Sequence, residues 1–155
     1  MTEVDYLLVE AMNSELKAKK FYNDASKKAQ SKAGKNLFRE LAEFEQNHYE
    51  RVKKIIESRS SSIDFDSDNV QNLKKINSEI EGEFEPNKDE IVTVINLAID
   101  AEKKAQERYL RIANMIKDNN SKTIFQNLAL DEKNHQRILE DEFYHLSNKG
   151  TIIWE

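Results

Sequence analysis

Phe38-Arg39-Glu40-Leu41-Ala42-Glu43-Phe44-Glu45-Gln46-Asn47-His48 returns 87 positions later as Phe125-Gln126-Asn127-Leu128-Ala129-Leu130-Asp131-Glu132-Lys133-Asn134-His135. In the first copy Phe38, Leu41, Glu45, His48, Val52 and Ile55 follow steps of three and four residues. That is the spacing of a single helix face. Phe125, Leu128, Glu132, His135 and Leu139 repeat it. A glutamate and a histidine therefore stand in line with the apolar residues that each helix turns towards a core. Residues three apart share a face, so Glu45 with His48, and Glu132 with His135, can each bind one ion together.

The repeat continues upstream. Ala11, Glu15, Ala18 and Tyr22 match Ala98, Glu102, Ala105 and Tyr109 at the same offset of 87. Glu15 and Glu102 each interrupt an apolar stripe, with alanines beside them that leave room to reach a bundle axis. Each half of the chain offers one lone glutamate and one Glu-x-x-His. An ionised carboxylate buried alone is costly and tends to neutralise. Two divalent cations balance four carboxylates, which makes the core placement intelligible. A mixed carboxylate and imidazole set suits iron or manganese better than structural zinc. The expected metal ligands are Glu15, Glu45, His48, Glu102, Glu132 and His135.

The rest of the chain predicts an all-α protein. It has 155 residues, three glycines and one proline, with helical periodicity through most of its length. A chain of this length is read as a single domain over 1–155. Helix 1 is expected from about Thr2 to Ser31, with Gly34 marking the break, and helix 2 from about Lys35 to Arg59. A polar crossover follows over 60–86, in which Val70, Leu73, Ile76 and Ile80 suit a short packed helix. Asn87 with Glu90 reads as a cap and its reciprocal partner for helix 3. Helix 3 runs to about Lys117, Asp118-Asn119-Asn120-Ser121 is turn and cap, and helix 4 covers about Lys122 to Leu146. A tail over 147–155 ends in Ile152-Ile153-Trp154, suited to docking or to extending a surface. The hairpins 2–59 and 87–146 form an antiparallel four-helix bundle joined by the long crossover.

Composition excludes several classes. The chain has no cysteine, so disulfides, iron–sulfur clusters and thiolate zinc sites are absent. The net charge is −5 and basic residues are scattered among acids, which gives no stripe for nucleic acid. No apolar run approaches the ~18 residues of a membrane span, and the acidic N-terminus lacks the pattern of a signal peptide. The expectation is a soluble cytoplasmic protein.

Three further features have competing readings. Glu142-Phe143-Tyr144-His145 is a third Glu-x-x-His, but its places in the first half hold Ile55 and Ser58. It is read as a solvent-facing pair. Tyr22 and Tyr109 lie seven residues after Glu15 and Glu102. They are either phenols bonded to ligand carboxylates, or electron sources near the metals, or simply core aromatics. Asp131 can orient a ligand histidine from behind, although its counterpart is Phe44.

On these residues the chain resembles the rubrerythrin-like branch of the ferritin-like di-iron proteins. The pattern is Glu15, then Glu45-x-x-His48 thirty positions on, then Glu102, then Glu132-x-x-His135 thirty positions on. Phe38-x-x-Leu41-Ala42-x-x-Glu45-x-x-His48 and Glu15-x-x-Ala18-x-x-Phe21-Tyr22 match in local wording. The resemblance implies a ferritin-like bundle with two iron ions, manganese being the alternative metal. Glu45 and Glu132 would bridge, Glu15 and Glu102 would be terminal, and His48 and His135 would complete each ion. It implies reduction of hydrogen peroxide, or reaction with dioxygen. The chain departs from full-length rubrerythrins in two ways. Without cysteine it has no rubredoxin domain, so an external donor such as a rubredoxin-like protein is expected. Ala105 stands where those proteins carry an extra glutamate, which brings the ligand set closer to bacterioferritin. Helix 2 has no methionine for haem, so no haem is expected.

The leading expectation is therefore a di-iron peroxidase. The alternatives are a ferroxidase handling iron, a non-catalytic metal-binding or interaction bundle, and other di-metal chemistry such as a manganese catalase. The crossover is long enough for two chains to exchange hairpins in a homodimer, or to stay within one chain.

Overall fold

The computed structural model describes residues 2–58 and 83–154. Four long helices carry the fold: α1 (Glu3–Lys28), α2 (Lys32–Glu57), α3 (Lys88–Met115) and α4 (Asn119–Lys149). Two short strands, β1 (Glu83–Phe84) and β2 (Thr151–Ile152), pair antiparallel with Glu83 opposite Ile152 and Phe84 opposite Thr151. The helices pack as two hairpins, α1 with α2 and α3 with α4, in a ferritin-like all-α arrangement. Among the described residues no helix is long and apolar enough to cross a membrane.

Local chemistry sets the helix ends. Thr2 and Asp5 form a reciprocal capping box on α1. Asp118 caps α4 by accepting from the Ser121 backbone N–H at 3.0 Å, as its turn sequence predicts. Gly150, at φ 71°, ends α4 in the left-handed region that favours glycine.

Two expected boundaries are corrected. Gly34 does not break the first hairpin but lies inside α2, which begins at Lys32. Ser31 is the cap, its hydroxyl accepting from the Gly34 N–H at 2.9 Å. The glycine is there for space. A Cβ on it would lie 2.9 Å from Glu85 Oε1, from Ile152 Cδ1 and from Ser31 Oγ. Asn87 precedes α3 but makes no side-chain cap; its amide donates instead to the Lys28 carbonyl at 2.8 Å. The competing partner is the unpaired carbonyl at the end of α1. The helix expected over Val70–Ile80 lies outside the described residues.

The paired contacts fix helix direction. Tyr22 of α1 meets Glu102 of α3 while Tyr109 meets Glu15, so these helices run antiparallel. His48 meets Asp131 while His135 meets Glu45, so α2 and α4 are antiparallel too. The Asn87–Lys28 bond puts the start of α3 beside the end of α1. The end of α2 is thus at the opposite end of the bundle, the polarity for which a long connection was expected.

The core is divided. One apolar cluster includes Leu37, Phe38, Ile91, Ile95, Leu139, Leu146, Ile152 and Trp154. The other includes Leu8, Val52, Ile55, Ile112, Phe125 and Leu128. Between them lies a layer of buried carboxylates and imidazoles.

The C-terminal segment docks. Ile152, Ile153 and Trp154 are buried, and the Trp154 indole N–H donates to Glu40. This corrects the reading of Glu142 and His145 as a solvent-facing pair, since both are buried. The segment after α4 folds back over the last turns of that helix, and Glu142 accepts from the Ile153 N–H at 3.0 Å. Burial raises the Glu142 carboxyl to about 7 despite that bond. Glu85 is fully buried on the α1–α2 turn, accepting from the Gln30 and Ser31 N–H groups and the Ser31 hydroxyl. It offers negative charge to the N-terminus of α2.

Candidate metal centre

Each helix delivers its ligand candidates to one level of the bundle: Glu15 from α1, Glu45 and His48 from α2, Glu102 from α3, Glu132 and His135 from α4. All six are at most 2% exposed. They assemble into two groups, Glu15–Glu45–His48–Glu132 and Glu45–Glu102–Glu132–His135. Within each group one ligand atom per residue lies within 4.8 Å of every other. Glu45 and Glu132 belong to both groups. Two ions held here would share these two carboxylates, while Glu15 with His48 and Glu102 with His135 would serve one ion each.

Unsatisfied atoms test whether a metal fits. Glu15 Oε2, Glu45 Oε1, Glu102 Oε2, Glu132 Oε1 and the Nδ1 atoms of both histidines are buried without a hydrogen-bond partner among the described residues. His48 Nδ1 lies 2.8 Å from Glu132 Oε1 and 3.7 Å from Glu15 Oε2. His135 Nδ1 lies 3.3, 3.5 and 3.7 Å from Glu45, Glu102 and Glu132 oxygens. Ligands about 2.1 Å from an ion sit roughly 3 Å apart when at right angles. Unpaired buried polar atoms are costly, and here they converge on each other at ligand spacing. A pair of cations would satisfy them, and the oxygen-rich mixed set fits a hard or borderline divalent metal.

The electrostatics of the metal-free protein agree. Burial pushes Glu45 well above the usual carboxylate range, and the neighbouring carboxylates push it further, Glu132 foremost. Glu132 is raised likewise by burial, then by Glu102 and Glu15. Without a cation both shared carboxylates are therefore pushed towards the neutral form. Burial also opposes ionisation of Glu15, but the nearby Glu45 and His48 side chains and the Tyr109 hydroxyl together outweigh it and lower this group to about 2. Burial opposes ionisation of Glu102 as well, but His135, Glu132 and the Tyr22 hydroxyl together outweigh it and lower this group.

The tyrosines are tied to the site. Tyr22 donates to Glu102 Oε1 at 2.5 Å, and Tyr109 donates to Glu15. Each reaches across to the glutamate of the other half, so the pair locks α1 to α3. Burial first, and then the nearby carboxylates, raises both phenols, keeping them as donors.

The halves differ behind the histidines. His48 Nε2 lies 3.1 Å from Asp131 Oδ2. An N–H donated there leaves Nδ1 bare for metal and fixes the ring. Arg51 approaches the same carboxylate at 3.8 Å. His135 Nε2 has no hydrogen-bond partner among the described residues. At its back the Phe44 ring packs edge-on, with centroids 4.9 Å apart and planes at 89°. Asp131 thus serves the histidine of the opposite half. Comparing it with its counterpart Phe44 obscures this, because sequence offsets say nothing about partners across the bundle. Asp131→Asn is expected to weaken binding of one ion by about 10–100-fold, with the other changing far less. Cobalt(II) titration against a chromophoric chelator reads the two steps separately; equal weakening of both would contradict the asymmetry.

A rubrerythrin family model matches residues 6–143, a span that contains all six candidate ligands. The chain belongs to the rubrerythrin family. Among solved structures it is similar to a hypothetical protein from Pyrococcus furiosus, at 26% identity and a TM-score of 0.75, covering 95% of this chain and 92% of that one. No curated protein matches. Family membership and the paired clusters agree on a dinuclear carboxylate site.

Proposed function

We propose that this rubrerythrin-family protein is a non-haem di-iron oxidoreductase that reduces hydrogen peroxide with electrons from a separate donor protein. The observation that carries the proposal is the pair of buried clusters sharing Glu45 and Glu132. Two ferrous ions bound there would supply two electrons to one O–O bond. The chain supplies the rest. Glu15 with His48, and Glu102 with His135, would each hold one ion. Asp131 orients His48. Tyr109 and Tyr22 donate to the outer carboxylates and restrain their rotation. The apolar clusters close the ligand layer above and below. With no cysteine in the chain, the donor is proposed to be external, of the rubredoxin type.

The test is a single turnover after anaerobic Fe(II) loading. Ferrous iron is expected to be oxidised by stoichiometric peroxide at least tenfold faster than by dioxygen at the same concentration. The reverse order would favour iron oxidation and handling. One observation favours that second reading: Ala105 lines a cavity between α1 and α3 that reaches Glu102 and Glu132, so no extra carboxylate stands there to exchange with a ligand.

A further inference from the structure

The C-terminal segment lies across one end of the bundle as a strap. It leaves α4 at Gly150, whose carbonyl accepts from the Glu85 N–H at 3.0 Å, and pairs with β1. Ile152 and Trp154 join the apolar cluster that holds Leu37, Phe38, Leu139 and Leu146. Two polar contacts fasten the strap to the helices. The Trp154 indole N–H donates to Glu40 of α2, and the Ile153 N–H donates to Glu142 of α4 at 3.0 Å.

The second fastening holds a charge in a poor place for one. The Glu142 carboxyl is fully buried, and its Oε2 has no partner among the described residues. The charge that acts on it is Asp141, of the same sign. Against this stand only the backbone N–H groups of Ile153 and Trp154. Loss of water outweighs them and holds the group up at about 7. The surroundings hold few other titratable groups. His145 follows one turn along α4, buried, with its Nδ1 unpartnered among the described residues. Glu40 faces the strap from α2 and is engaged by Trp154. Glu85 is committed to the Gln30 and Ser31 N–H groups. The α3 residues in the cluster, Ile91, Val94 and Ile95, are uncharged.

We propose that segment 151–154 is a pH-sensitive strap, docked while Glu142 is protonated and opened when Glu142 loses its proton, which bares the apolar end of the bundle. An open strap returns Glu142 to water and to the ordinary carboxylate range. Docking therefore raises this group. A group raised on docking favours the docked form fully below its free value of 4.5, and that contribution is lost as pH climbs to the docked value. Opening thus grows through the mildly acid range and levels off above neutrality. The cluster that the strap covers also contains Tyr22, which donates to Glu102, so the strap closes the side of the core on which the ligand layer rests. The device itself needs no metal.

Trp154 is the one tryptophan in the chain, so its indole N–H gives a single NMR signal. Solvent exchange of that proton in the full chain, divided by its exchange in a free Ile-Ile-Trp-Glu peptide at each pH, measures the opening ratio. The buried Leu128 amide reports global unfolding in the same spectra. The opening ratio is expected to rise on the order of fiftyfold from pH 5 to 7.5, and by less than about twofold from pH 7.5 to 8.5. In Glu142→Gln, checked for helicity, it is expected to change by less than about threefold over the whole range, because the amide keeps the acceptor and cannot ionise. Glu40→Gln, which retains Glu142, is expected to keep the parent's pH profile. A flat profile in the parent, or indole and Leu128 protons that open together at every pH, would overturn the proposal. So would a pH dependence that survives in Glu142→Gln, which assigns the titration to His145 or Glu40, or one that is lost in Glu40→Gln.

Discussion

Glu132→Gln is expected to leave the chain with close to no tightly bound iron, while Glu15→Gln keeps about one ion per chain, because an ion lost to a missing ligand depends on which cluster that ligand serves. Glu132 belongs to both groups of ligand atoms, as does Glu45, whereas Glu15 belongs to one. The amide preserves shape and removes the charge. At Glu132 it strips one negative charge from both ions and leaves His48 Nδ1, 2.8 Å away, facing a neutral group. At Glu15 the second cluster keeps Glu45, Glu102, Glu132 and His135 intact. Glu45→Gln should behave as Glu132→Gln, and Glu102→Gln as Glu15→Gln. The measurement is metal per chain after anaerobic Fe(II) loading and removal of free ion, with circular dichroism to confirm folding. Equal losses from Glu132→Gln and Glu15→Gln would show that the shared carboxylates do not bridge.

The six ligand candidates are legible in the sequence, whereas the contrast between shared and single-ion carboxylates comes there only from the family resemblance. Glu45, His48, Glu132 and His135 sit at core positions of a helical pattern, and no apolar packing explains a charged pair there twice at one offset. The repeat also supplied the hairpins, because matched halves must bury matched faces. What the pattern could not supply is anything decided between segments distant in sequence. The crossed bonds from Tyr22 to Glu102 and from Tyr109 to Glu15 follow from the antiparallel run of α1 against α3. Asp131 serves His48, 83 positions away, so its value was hidden while it was compared with Phe44. Glu142 and His145 were misread for a related reason. The helical pattern ends near them, but the chain then turns at Gly150 and covers them with Ile153 and Trp154. Gly34 was misread because glycine is a helix breaker by propensity, whereas here close approach of Glu85 and Ile152 selects it. In each case tertiary contact overrode a local signal.

Metal removal is expected to lower the melting temperature by roughly 15–30 °C near neutral pH, and the gap should widen as pH rises from 6 to 8. A ligand that binds only the folded state at about a thousandfold excess over its dissociation constant adds about 4 kcal/mol, so two ions add on the order of 8 kcal/mol. For a chain of this size each kcal/mol moves the midpoint by roughly 2–4 °C. The pH trend follows from the metal-free protein. Glu45 and Glu132 are raised above their unfolded values, so the folded state holds extra protons there. Burial works against protonation of His48, but Asp131 and Glu15 outweigh it and raise this group to about 10. Groups raised on folding contribute stability below their unfolded pKa and lose it as pH climbs towards the folded value. Metal-free stability should therefore fall between pH 6 and 8. The lowered groups, Glu15 and Glu102, do not oppose this, because their contribution is already complete above the ordinary carboxylate range. Binding of two cations is expected to displace protons held by Glu45, Glu132 and His48. Affinity, and with it the stability of the loaded form, rises with pH relative to the metal-free form. Calorimetric melting of loaded and chelator-treated protein at pH 6, 7 and 8 measures the gap, and proton release on loading in weak buffer measures its cause. A gap that narrows with pH, or loading without proton release, would mean that the carboxylates of the metal-free core are already ionised and balanced by something other than metal.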